Sequence, residues 1–163
     1  MMPILSCRLR GERALFRDIS VAGADVSADE IRPRAIKGII GNVLGLWRDF
    51  SALDEIEETP VVEEWWKRAD AEIIDSAISF SHRVVIGQHR YKTLNQFMKP
   101  GESGPKPLEY LWDVEVRWGL RLNEEGAAEL QARWRCPIGM IYLGQSNCPA
   151  QLLPLEISAV EHR

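Results

Sequence analysis

The sequence predicts an α+β domain whose elements run strand, helix, strand, strand, helix, strand. Three stretches carry that expectation. Residues 109–122, EYLWDVEVRWGLRL, set Tyr110, Trp112, Val114, Val116, Trp118, Leu120 and Leu122 in alternation with a mostly polar series, the period of a half-buried strand. Residues 32–47, RPRAIKGIIGNVLGLW, repeat Ile36, Ile39, Ile40, Val43, Leu44 and Trp47 at helical spacing, so one face of a helix belongs to a core. Residues 72–88 are dominated by Ile73, Ile74, Ile78, Val84, Val85 and Ile86, the composition of a strand.

Taken in order, Pro3–Arg10 reads as a first strand that Gly11 ends, and a polar loop containing Gly23 leads to the main helix. Pro33 suits the first turn of that helix, where a missing N–H costs nothing. Beyond Trp47 the acidic run RDFSALDEIEETP is helical in part and stops at Pro60. Val61, Val62, Trp65, Trp66 and Ala69 then keep helical spacing. That tryptophan pair lies among carboxylates, which points to core or partner interface; a base-stacking platform needs exposed rings beside positive charge. The strand over 72–88 bends near Ser79–Ser81 and is followed by HRYKTLNQFMKPGESGPKP, a basic stretch ending in a Gly/Pro-rich loop that reads as a projecting arm. After the 109–122 strand, Asn123 can cap a helix with Glu124 and Glu125 in its favourable first turn and Ala127, Leu130 and Trp134 on its apolar face. Ile138–Leu143 is expected as the last core strand, before GQSNCPA and a short apolar tail. This order is the ferredoxin-like, RRM-like βαββαβ arrangement, in a single domain over 1–163 with an arm at 88–107 and a C-terminal extension at 144–163. The RNP aromatic signature of a standard RRM is absent.

Length and composition set the bounds. A chain of 163 residues suffices for one domain with a real core, and 45% hydrophobic with 27% charged residues is ordinary for a soluble protein. No apolar run reaches the roughly 18 residues that cross a bilayer, and the N-terminus lacks the signature of a secretory signal. Three cysteines, Cys7, Cys136 and Cys148, without C-x-x-C spacing argue against a disulfide framework or zinc site and for a reducing, cytoplasmic setting. Net charge is −4, but it is unevenly spread: residues 38–80 hold three Lys/Arg against ten Asp/Glu, whereas residues 81–106 hold five against one. An acidic middle beside basic stretches is compatible with RNA on one side and a protein partner on another.

The main helix departs from ordinary design twice. Gly38, Gly41 and Gly45 form a thin stripe although each costs about 1 kcal/mol relative to Ala in a helix interior; close approach to the backbone explains such a stripe. Arg32, Arg34 and Lys37 crowd the positive end of the helix dipole, which disfavours cations unless an anion shares them with the free N–H groups. Two readings stay open: a phosphate chain at the helix start, or three solvated surface charges. No H-E-x-x-H, P-loop or G-x-S-x-G is present, so a hydrolase or metalloenzyme has little support.

Four segments in order resemble a known family. RPRAIKGIIGNVLGL resembles the glycine-bearing helix, of T-x-S-x-x-x-G-x-L-G-x-x-L-G character, in the CRISPR-associated Cas-five family. HRYKTLNQF resembles its D-Y-H-T-x-Q region, and EYLWDVEVRWGLRL, a helix and IYLGQSNCPA resemble its last third, where Y-L-x-D-x-x-F precedes L-Y-L-G-R-x-S-C-P. The resemblance covers residues 4–10, 32–47 and 88–150. It implies a ferredoxin-like protein of the RAMP superfamily, a non-catalytic RNA-binding subunit at the 5′ handle of the guide RNA (crRNA) in a type I Cascade-like surveillance complex for antiviral defence. Such a subunit contacts the backbone subunit through a thumb-like hairpin and the large subunit that reads the PAM. Target DNA is then met only through the complex, with base pairing supplying sequence specificity. No cofactor, metal or membrane is implied.

On that resemblance Arg32, Arg34 and Lys37 hold handle phosphates, and Arg13 and Arg17 assist. His89, Arg90, Lys92 and Lys99 line the thumb-like arm, and Gly144, Gln145, Ser146 and Asn147 meet the RNA through backbone N–H groups and side-chain amides. Gln145 stands where the family tends to have Arg. The negative net charge implies binding within an assembled complex. One branch of the family cleaves precursor RNA without metal, using Tyr, Lys and His. His89, Tyr91 and Lys92 supply those types, yet strand alternation sets His89 and Tyr91 on one face and Lys92 on the other. A protein-interaction module without RNA binding is the remaining alternative.

Overall fold

The long alternation of apolar residues becomes β5 (Lys106–Arg121), the strand around which the sheet is built. The computed structural model describes residues 2–16, 25–46, 60–88 and 106–158. β1 (Ile4–Ala14) runs antiparallel to β5 from the pair Ile4–Arg121 to the pair Ala14–Leu111. The opposite edge of β5 is shared by β3 (Glu72–Ser79), beside its second half, and β4 (His82–Gln88), beside its first. The break between β3 and β4 falls at Phe80–Ser81, where the sequence predicts a bend. The two-residue β2 (Asp25–Val26) lies parallel to Leu108–Glu109. Two short strands, β6 (Ala150–Leu152) and β7 (Glu156–Ser158), bond to the far edge of β1.

Among the described residues three helices accompany the sheet: α1 (Pro33–Leu44), α2 (Pro60–Arg68) and α3 (Glu124–Trp134). The core joins Leu5, Cys7 and Leu9 of β1 and Val114, Val116, Trp118 and Leu120 of β5 to Ile36, Ile39, Ile40, Val43 and Leu44 of α1 and Leu130 and Trp134 of α3. Burying each of these large side chains contributes roughly 1.5–3 kcal/mol. The other face of β1 and β5 carries Ser6, Arg8, Arg10, Glu115, Arg117 and Arg121. Alternation on β5 does not hold throughout. Asp113 has φ 53°, and across it the buried positions shift from Gly11–Val114 to Ala14–Leu111, leaving Trp112 half-buried and Leu111 fully buried.

α1 stops three residues short of Trp47. Gly45 takes the left-handed conformation, φ 71°, and both its N–H and that of Leu46 turn back to the Gly41 carbonyl, a glycine-terminated helix end. At α3 the cap predicted for Asn123 is present: its side chain accepts from the Gly126 N–H at 2.8 Å. The same amide donates to the Arg68 carbonyl at 2.7 Å, so one residue starts α3 and ties it to the end of α2.

Ile138–Leu143 is not a regular strand. Only the isolated bridge Tyr142–Pro149 forms there, because Pro137 and Gly139 interrupt the run and its donors go elsewhere. Ile138 and Gly139 give their N–H groups to the carbonyls of Val43 and Asn42, at 3.1 and 2.7 Å. Those carbonyls are among the last four of α1, which lack partners inside the helix. The edge of β1 is taken instead by β6 and β7. The acidic insert at 48–59 and the body of the expected arm, 89–105, lie outside the described residues.

Candidate nucleic-acid interface

The loop after Leu143 is held tightly against the end of β1. The Leu143 N–H donates to the Cys148 carbonyl at 2.8 Å, and the Cys148 N–H donates in turn to the Gln145 carbonyl at 2.9 Å. Leu15 donates to the Leu143 carbonyl at 3.1 Å. Gly144 has φ +88°, and a Cβ there would fall on the Leu15 carbonyl, so the position accepts glycine alone. Arg13 fixes the loop from the other side. Its Nε and Nη2 both donate to the Asn147 carbonyl, at 3.1 and 3.0 Å, while its guanidinium lies over the Tyr110 ring, 5.3 Å from the centroid. Asn147 Nδ2 donates to the Tyr110 hydroxyl at 3.2 Å.

Opposite this loop stands the glycine-bearing face of α1. A shallow cleft of about 240 Å³ runs between them, lined by Phe16, Ala35, Gly38, Ile39, Asn42, Tyr142 and Gly144. The three glycines of α1 serve three different ends. Gly38 has open space where a Cβ would stand, a Cβ at Gly41 would come within 3.1 Å of Val62 of α2, and Gly45 ends the helix. The backbone of α1 is therefore approachable from the cleft at one glycine only, Gly38.

The predicted cations divide. Arg32 occupies the N-cap position without a side-chain cap, no acidic residue stands in the first turn, and both Arg32 and Arg34 are exposed. Lys37 turns toward α2, where Nζ pairs with Glu63 at 3.1 Å and lies 5.3 Å from the Trp66 ring centroid. Arg13 and Asn147 are brought together, but with their donors engaged on the loop and on Tyr110. Gly144 lines the cleft, while Gln145 is half-buried and Ser146 exposed in the loop beside it. Arg17, His89, Arg90, Lys92 and Lys99 lie outside the described residues. Of the tryptophan pair, Trp65 is core, its Nε1 donating to Glu129 at 3.0 Å.

Several residues that shape the site have no conspicuous sequence signal. Ser27 is buried, accepts from the Phe16 N–H at 3.0 Å and donates to the Ala28 carbonyl at 3.0 Å. Arg83 donates to the Ser27 carbonyl at 2.8 Å and pairs with Glu109 at 3.6 Å, anchoring the chain just after β2. Burial pushes the Cys148 thiol up, opposed by the Arg13 charge and by hydrogen bonds with the Leu15 and Gln145 backbones. Among the described residues no group of His, Cys, Asp and Glu could hold a metal ion, and no helix is long and apolar enough to cross a membrane.

The family model described as "CRISPR-associated protein (Cas_Cas5)" matches residues 4–163, nearly the whole chain. The chain belongs to the CRISPR-associated Cas5 family. Solved structures agree in fold. A functionally uncharacterized protein, SMU1763c, from Streptococcus mutans is similar with a TM-score of 0.50 at 16% identity, covering 91% of this chain and 64% of that one. A Cas protein is similar with a TM-score of 0.50 at 18% identity, covering 91% and 62%. A chain of a CRISPR RNA-guided surveillance complex matches with a TM-score of 0.50 at 15% identity, covering 89% and 58%. This Cas5-family chain thus spans under two thirds of the length of those solved relatives. No curated protein matches it by sequence.

Proposed function

We propose that the chain is the RNA-binding subunit that holds the 5′ handle of the crRNA in a type I Cascade-like CRISPR surveillance complex, between the backbone and large subunits. Membership of the Cas5 family supports the complex, and likeness to a chain of an RNA-guided surveillance complex is consistent with it. We read the sheet as a ferredoxin-like core whose fourth strand is replaced by β6 and β7. The observation that carries the assignment of a site is the cleft between the rigid Gly144 loop and the Gly38 face of α1. Backbone there is exposed on both walls, and the exposed Arg32 and Arg34 stand at the helix start, where N–H groups and positive charge together favour a phosphate. In this reading Arg13 and Asn147 build the loop, Lys37 braces α1 against α2, and phosphate contact falls to Arg32, Arg34 and the N–H groups of the loop.

The role is one of binding and not of cleavage. Titration of the chain with its cognate 5′-handle RNA and with a scrambled RNA, across a salt series, tests both statements. Preference for the handle, intact RNA after incubation without metal, and weaker binding by Arg32→Ala/Arg34→Ala are expected. Defined cleavage of repeat RNA in the absence of metal overturns the non-catalytic role. No RNA bound by the chain alone or with its partner subunits overturns the assignment altogether.

A further inference from the structure

The face of the sheet turned away from α1 and α3 carries a pair of like charges that folding alone leaves unexplained. Arg8 of β1 stands directly opposite Arg117 of β5, an unfavourable arrangement for a cross-strand pair. Neighbouring cations on this face are tied to carboxylates: Arg10 to Glu115 at 3.9 Å and Arg121 to Glu72 at 3.0 Å. Arg8 reaches Glu156 with Nη2 at 3.3 Å, yet its Nε is buried and has no hydrogen-bond partner. Arg117 is exposed and makes no ion pair or hydrogen bond among the described residues.

Beside Arg117 the ladder between β3 and β5 is interrupted between Ile74 and Ala77. A cleft of about 400 Å³ opens there, with Ser6, Asp75, Ser76, Arg117 and Gly119 among its lining residues. Asp75 is exposed and likewise unpaired among the described residues. The cleft therefore offers a guanidinium and a carboxylate without partners among the described residues and two hydroxyls, with the charge of Arg8, held by Glu156 and with its Nε shut off from solvent, on the neighbouring strand. A bare inorganic anion would gain from the arginines and be repelled by Asp75. A ribonucleotide uses both, since its phosphate accepts and its 2′-hydroxyl donates.

We propose that this open face is a second RNA contact, taking one nucleotide of a single strand with its phosphate on Arg117, beside the charge of Arg8, and its 2′-hydroxyl on Asp75. The proposal rests on the RNA-binding role above, but it uses residues on the opposite side of the sheet from α1. It is tested on the whole chain by fluorescence anisotropy with a single-stranded oligoribonucleotide and the oligodeoxyribonucleotide of the same sequence, across a salt series. Arg117→Ala is expected to weaken RNA binding several-fold and to reduce the slope of log affinity against log salt by about 0.7, the loss of one single-strand phosphate contact; Arg117→Lys restores part of both. Asp75→Asn is expected to reduce the preference for RNA over DNA without weakening the DNA complex. If both variants bind as the parent does while Arg32→Ala/Arg34→Ala binds poorly, the open face is not a contact and the handle site stands. If the parent chain binds no RNA, alone or with its partner subunits, both fall. Loss of poly-glutamate binding in Arg117→Ala with RNA affinity unchanged would make the face a protein-docking surface and overturn the proposal.

Discussion

A single amide side chain, Asn123, holds together two helices that are 55 residues apart by the bond it makes to Arg68. Its oxygen starts α3 and its nitrogen closes the end of α2, so Asn123→Ala removes a cap and leaves a helix-end carbonyl without its partner. Loss of about 1–2 kcal/mol of stability is expected, measured by urea unfolding, with Asn123→Asp recovering the cap but not the bond to Arg68. Gly144 is a stricter case. Gly144→Ala meets both a positive φ and the Leu15 backbone; the conformation alone costs about 1–3 kcal/mol. Weaker handle binding should accompany the drop in stability. Cys7 gives a pH signature. Burial pushes its thiol above the ordinary range, so the folded state keeps the proton that the unfolded chain releases above about pH 8.5. The contribution is complete below that pH and declines as pH rises further. Unfolding measured from pH 7 to 10 should show this fall, and Cys7→Ala should flatten it.

At the scale of elements, α1 depends on α2 more than its own sequence suggests. Lys37, Glu63 and Trp66 join them on the surface, and Val62 fills the space left by Gly41. A double-mutant cycle on Lys37→Ala and Glu63→Ala should return a coupling of about 0.2–1 kcal/mol, as for exposed pairs, and leave RNA affinity at constant salt little changed. α1, β5 and the cap of α3 are legible because their apolar periods are long and their boundaries carry Pro, Gly or Asn. Ile138–Leu143 misleads because periodicity cannot show that the free carbonyls of Val43 and Asn42 claim the N–H groups of Ile138 and Gly139. The same limit applies at the candidate site. Arg32, Arg34 and Lys37 look like one cluster along the chain, yet a carboxylate on another helix draws Lys37 aside. Arg13 reads as an RNA contact, and only the fold brings Asn147 and Tyr110 to meet it.

Viewed whole, the molecule has two candidate surfaces on opposite sides of one sheet, and thiol chemistry offers a simple check of the layers between them. Cys136 is exposed, whereas Cys7 and Cys148 are buried. One thiol is therefore expected to react quickly with a neutral-pH alkylating reagent, with the other two reacting only on unfolding. The arrangement of strands also dictates when the molecule can form. β1 is made well before its partner in the sheet, which arrives about a hundred residues later, and β3 and β4 wait for that same strand. At about 5–20 residues per second of synthesis, the first strand spends several seconds without the neighbour that covers its edge. A nascent chain released anywhere before β5 therefore holds strands with nothing to bond to, and the sheet assembles only as β5 leaves the ribosome.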